Sequence, residues 1–203
     1  MVTARKPLTP RDFQSSGFTI VEFLVVFAIT AVIIGFAIPA FNSFNRTQLL
    51  KTAAAELKTN LRQAQSKALS GEKACNPTDQ SYMSLLGWYV HFDPAYFSYT
   101  IAHHCIYSSN SLEDTTEYSP KTYTMRGISV IDLSPSNLAY ILFEPVSKGV
   151  SFYEETAGNV SFSAGNKLPN SVATVTITLT NVDGNSYTVK VNRSGEITDE
   201  KIP

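Results

Sequence analysis

The feature that most constrains this chain is an uninterrupted run of nineteen uncharged residues, Phe23 to Phe41, in the sequence FLVVFAITAVIIGFAIPAF. At ~1.5 Å per residue a helix of that length nearly matches a bilayer core. The seventeen residues before Phe18 read MVTARKPLTPRDFQSSG, with Arg5, Lys6 and Arg11 against Asp12 alone, and are broken by Pro7 and Pro10. After the run the next charge is Arg46. The positive-inside rule therefore predicts that the N-terminal segment stays cytoplasmic and the remainder crosses. An ordinary secretory signal has a shorter apolar core and a small-residue cleavage site after it. Ala40-Phe41-Asn42-Ser43-Phe44 is a poor site of that kind. A plain single-pass anchor fits the length but leaves Glu22 unexplained, because a carboxylate in such a segment is costly without a partner.

Cleavage between Gly17 and Phe18 supplies a partner. The new α-amino group of Phe18 is a cation, and Glu22 becomes the fifth residue of the shortened chain. A neighbouring copy's amine then neutralises the carboxylate during packing, although desolvation offsets much of the attraction. Gly17-Phe18-Thr19-Ile20-Val21-Glu22, followed by the apolar run and by Pro39, resembles the prepilin signature of type IV pilins and type II secretion pseudopilins. The resemblance implies removal of a 1–17 basic leader by a prepilin peptidase, N-methylation of Phe18 and assembly through Glu22. It also implies partners: other pilin or pseudopilin subunits, an inner-membrane assembly platform and membrane lipid.

Beyond Asn42 the helix is expected to continue as an amphipathic one. Leu50, Ala53, Ala54, Leu57, Leu61, Ala64 and Ala68 recur mostly at steps of three and four and mark one apolar face. Ser70-Gly71 predicts the stop, and Pro39 is expected to bend the helix. Residues 18–41 thus form a transmembrane or filament-core helix, 42–71 its amphipathic continuation and 72–203 a β-rich head. Expected strands are Trp88 to Phe92, Tyr99 to Ala102, Ile128 to Leu133, Ala139 to Phe143 and Asn159 to Phe162. Ala173 to Leu179 and Tyr187 to Val191 form the clearest hairpin, with Asp183-Gly184-Asn185 as turn chemistry. Segments 106–122 and 144–158 read as loops.

LKTNLRQAQSKA (Leu57 to Ala68), Phe143-Glu144-Pro145 with Gly149, and Val191 to Ile197 are similar to segments of the GspH/FimT group of pseudopilins and minor pilins. That likeness implies an α+β fold, with an antiparallel head of two sheets laid on the second half of the helix. The two cysteines, Cys75 and Cys105, point to one disulfide in an exported chain, two unpaired thiols being the alternative. Such a bond closes a loop of about 30 residues and contributes on the order of 3 kcal/mol.

The residues offer little chemistry beyond assembly. His103-His104-Cys105 is the only cluster of metal-ligand atoms, and neighbours on a strand face opposite ways, so we expect no metal site, no cofactor and no catalytic residues. Nucleic-acid binding, the activity implied for some FimT-like minor pilins, needs clustered cations. Here Lys190 and Arg193 stand alone, and loss of the leader changes 16 basic and 17 acidic residues to 13 and 16, about −3. The aromatics Trp88, Tyr89, Phe92, Tyr96, Phe97 and Tyr99 read as core rather than adhesive surface. The resemblance therefore implies a minor pilin or pseudopilin, with a DNA-binding or adhesive minor pilin as the alternative.

Overall fold

The computed structural model describes residues 17, 19–72, 84–106, 118–145, 149–155 and 162–202. The fold is α+β: among the described residues one long helix, α1 (Ile20–Leu69), is followed by nine strands in two antiparallel sheets. The chain divides into two compact units, Met1–Asn42 and Ser43–Pro203. The first contains the apolar part of α1. The second contains its amphipathic part together with the β-head.

Within the second unit the seven apolar residues of the predicted face, from Leu50 to Ala68, are all buried. Full burial of each leucine there is worth about 1.5–3 kcal/mol. The alanines let the helix backbone approach the sheets closely. The helix stops where Ser70-Gly71 places the stop. Gly71 has φ +65, and the amides of Gly71 and Glu72 turn back to the carbonyls of Ala68 and Lys67, both at 3.1 Å. This is the double bond of a left-handed glycine cap.

The five-stranded sheet has the order β3-β2-β1-β5-β6, and the four-stranded sheet the order β4-β7-β8-β9. The first comprises β1 (Ser84–Asp93), β2 (Ser98–Ile106), β3 (Tyr118–Thr124), β5 (Leu138–Phe143) and β6 (Val150–Glu154); the second comprises β4 (Val130–Ser134), β7 (Thr174–Thr180), β8 (Ser186–Asn192) and β9 (Ile197–Ile202). One hydrophobic cluster joins the helix face to the inner faces of both sheets: Val90, Phe92, Ile101, Ile141 and Phe152 from one, Ile131, Val175, Ile177, Leu179, Val189 and Val191 from the other. A second cluster, including Tyr89, Ala102, Tyr140, Leu142, Tyr153 and Phe162, covers the opposite face of the five-stranded sheet. With both faces covered, β5 is buried at every position. β7 instead alternates Val175, Ile177 and Leu179 inward with threonines outward.

The expected β7–β8 hairpin forms, pairing Val175 with Val191 and Thr180 with Ser186. Two expectations need correction. Residues 118–122 were expected in a loop but belong to β3, an edge strand containing Pro120. Residues 150–154, also expected in a loop, form β6 on β5. Past Ile197, where no element was expected, the chain continues as β9, paired along β8 from Val191↔Ile197 to Ser186↔Ile202. Of the strand expected at Asn159 to Phe162, only Phe162 lies within the described residues, and it is not in a strand.

Candidate assembly site and membrane segment

In the first unit Gly17 is exposed, and Phe18 lies outside the described residues. α1 begins at Ile20, with Thr19 as its cap: the Glu22 amide donates to Thr19 Oγ1 at 3.2 Å. Thr19 and Glu22 thus have the spacing of a capping box, and Glu22 lies in the first turn, where the helix dipole favours an anion. The sequence signal for this local role is Thr-x-x-Glu, which is separate from the cost of the charge. Every residue from Ile20 to Phe41 whose side chain is described is exposed. Contacts along this stretch are local. Phe23 and Phe27 rings meet at 5.3 Å, and Thr30 Oγ1 returns its proton to the carbonyls of Val26 and Phe27 at 2.8 and 3.0 Å. Pro39 lies within α1.

In the second unit Cys105 is buried and disulfide-bonded; Cys75 lies outside the described residues. His103 and His104 are buried on opposite faces of β2, His103 4.8 Å from the Trp88 ring and His104 5.2 Å from Phe162. Burial, and then the nearby Lys67 charge, push the His103 pKa below its usual value. Among the described residues no group of three or more His, Cys, Asp or Glu side chains is placed to hold a metal ion.

Several basic side chains of the head are engaged by its own groups. Arg193 donates through Nε to the Val172 carbonyl at 2.8 Å and through one terminal nitrogen to the carbonyls of Leu168 and Pro169, both at 2.9 Å. Its guanidinium also lies 5.1 Å over the Phe152 ring. Lys190 pairs with Glu200 at 2.9 Å, and Arg46 with Asp183 at 2.7 Å. Lys58 bonds the Asp199 carboxylate, which also accepts from the Tyr187 hydroxyl at 2.9 Å. The Lys58 bond, followed by that of Tyr187, holds the Asp199 carboxyl below its usual pKa.

Segments that the family likeness singled out meet here. Glu144 and Gly149 close the β5–β6 hairpin through the Glu144 amide and the Gly149 carbonyl at 3.1 Å, and the Val150 amide bonds the Arg193 carbonyl at 3.0 Å. Gly149 has φ +85, and a β-carbon there would fall 2.8 Å from the Arg193 carbonyl oxygen. Of the six aromatics read as core, Trp88, Tyr89, Phe92 and Tyr99 are buried, Phe97 packs against the core and Tyr96 is exposed. A pocket of about 190 Å³ opens between α1 and the β3 edge, with Lys67, Trp88, Lys121 and Tyr123 in its wall. Lys67 is already paired with Glu72 at 3.1 Å and lies 4.3 Å over Trp88.

No family model, no curated protein and no solved structure matches this chain. The functional reading therefore rests on the residues themselves: an exposed apolar helix long enough to cross a membrane, and a head in which Arg46, Lys58, Lys190 and Arg193 are engaged by its own carboxylates and carbonyls.

Proposed function

We propose that the chain is a minor pilin or pseudopilin, a structural subunit that initiates, caps or decorates a type IV pilus or a type II secretion pseudopilus. A prepilin peptidase cuts after Gly17 and Phe18 is N-methylated. The 18–41 helix then holds the subunit in the inner membrane, with the head outside the cytoplasm, until the assembly platform draws it into a filament. The observation that carries this reading is the uncovered apolar helix from Ile20 to Phe41, in which Glu22 is the single charge. So much exposed apolar surface needs lipid or other helices around it. A lone acid one turn from a freshly made amine gives those helices a register. The engagement of Lys190 and Arg193 within the head leaves the DNA-binding alternative without a specific observation in its favour.

The test uses two substitutions. Glu22→Gln preserves the spacing and hydrogen-bonding capacity of a capping box, whereas Glu22→Ala removes it. If the charge drives assembly, both variants are processed, stay in the membrane fraction and are missing from sheared filaments. Wild-type incorporation of Glu22→Gln would limit Glu22 to capping the helix and overturn its proposed role.

A further inference from the structure

Beyond residue 42, the exposed large apolar side chains among the described residues are Phe44, Leu49, Leu69, Tyr96, Val130 and Val182. All but Leu69 lie at one end of the head. Contacts between α1 and the strands show which end it is. At the C-terminal end of α1, Lys67 lies over Trp88 and the Trp88 indole donates to the Glu72 carbonyl at 3.1 Å. Further back, Asn60 donates to the Tyr99 hydroxyl at 2.6 Å. Further still, Gly127 packs so closely on Leu49 that a β-carbon there would fall 3.1 Å from Leu49 Cβ. The β1–β2 turn carrying Tyr96 lies just before Tyr99, and its Phe97 carbonyl accepts the Met125 amide at 2.8 Å, two residues from Gly127.

The second sheet is graded in the same direction. Gln65 donates to the Gly195 carbonyl, Lys58 bonds Asp199, and Arg46 bonds Asp183 in the β7–β8 turn. That turn is held from within: buried Asn181 accepts the amides of Asp183 and Asn185, both at 3.0 Å, leaving Val182 68% exposed at the tip. Val130 pairs with Thr180 beside it. Tyr96 is 75% exposed. Two separate turns, one from each sheet, thus present apolar tips at the end where the head's helix begins.

We propose that this end is a lipid-facing foot, in which Tyr96 and Val182 enter the headgroup layer of the bilayer that holds the subunit before assembly. The proposal rests on the membrane reading above. Arg46 follows Phe41 by five positions, so the chain itself tethers this end of the head within about 17 Å of the apolar run. The headgroup layer on each side of the hydrocarbon is about 5–8 Å deep. The ion pair between Arg46 and Asp183 ties the β7–β8 turn, and with it Val182, to the residues that follow the apolar run most closely in the chain. Tyrosine suits such a boundary, with an apolar ring and a wet hydroxyl. Arg46 enters it with its charge already matched by Asp183, and Arg126, exposed in the same loop as Gly127, is positioned to meet lipid phosphates.

The chain has a single tryptophan, buried Trp88 at the far end of the head, so added tryptophans report their own surroundings. Full-length Tyr96→Trp, Val182→Trp, Leu69→Trp and Phe36→Trp chains would be reconstituted into phosphatidylcholine–phosphatidylglycerol vesicles with and without brominated phosphatidylcholine. The proposal expects Phe36→Trp, Tyr96→Trp and Val182→Trp to lose emission to the brominated lipid and to shift to the blue, while Leu69→Trp and the parent chain do not. Quenching at Phe36→Trp with none at Tyr96→Trp or Val182→Trp would overturn the foot and leave the membrane anchor standing. Loss of quenching at Phe36→Trp would overturn both. A blue shift at Val182→Trp that follows protein concentration rather than lipid would assign this end to a second copy of the chain and equally overturn the foot.

Discussion

Arg193 is the residue at which a structural role and a nucleic-acid role part most cleanly, and its replacement can be worked out from the contacts. The guanidinium serves three carbonyls, of Leu168, Pro169 and Val172, and stacks over Phe152. Hydrogen bonds to charged groups contribute about 1.5–3 kcal/mol each when well covered. Arg193 is only half-buried, so a total of about 3 kcal/mol for the set is a fair discounted figure. Arg193→Met keeps the apolar stem and should lose most of it. Arg193→Lys keeps the charge, but a single ammonium cannot span three carbonyls in the geometry of the planar fork; a loss of about 2 kcal/mol follows. For a unit of this size that lowers the melting temperature by roughly 4–8 °C. Thermal unfolding of the full chain in detergent, followed by near-ultraviolet circular dichroism, reads this directly. If Arg193→Lys melts within about 1 °C of the parent, the clamp does not contribute as argued and the guanidinium is free for another use.

Three further outcomes follow from the same contacts. Leu61→Ala empties a fully buried site between helix and sheets and should cost about 2–5 kcal/mol in urea denaturation, whereas Val182→Ala at the exposed tip should change stability by less than about 0.5 kcal/mol. Gly149→Ala forces a side chain into a left-handed backbone and against the Arg193 carbonyl; it should destabilise by about 1–3 kcal/mol, seen as a lowered urea midpoint, and a neutral result would refute the close approach. Asp199 has a folded pKa below its unfolded one, so its stabilising contribution is complete above the ordinary aspartate range and is lost as pH falls through the depressed value. The stabilities of the parent and Asp199→Asn should therefore differ at neutral pH and converge in acid, and a difference that persists unchanged to low pH would refute the Lys58–Asp199–Tyr187 linkage.

What the sequence discloses and what it hides follow from the range of each interaction. The amphipathic face from Leu50 to Ala68 and the β7–β8 hairpin are local, periodic patterns, and both are visible residue by residue. β3 and β9 are edge strands, and edges are protected by proline and charge. Pro120 in β3 and Thr198-Asp199-Glu200-Lys201 in β9 therefore look like loop in isolation. β6 is short and follows directly on Gly149, so its pairing with β5 sets its identity more than its own composition does. At the candidate assembly site, Gly17, Glu22 and the apolar run are legible because they are nearly contiguous. The Arg193 clamp and the Lys58–Asp199 bond join residues 21–25 and 141 positions apart, and no local pattern announces either.

On the proposed reading the chain is made with a leader and matured at the bond between Gly17 and Phe18. Intact mass together with N-terminal sequencing of the protein extracted from membranes of its own host tests it most directly. The expected result is a chain that starts at Phe18 with one added methyl on its amine, found alike in the parent and in Glu22→Ala. An uncut N-terminus, or a new one beyond Phe41, would contradict it.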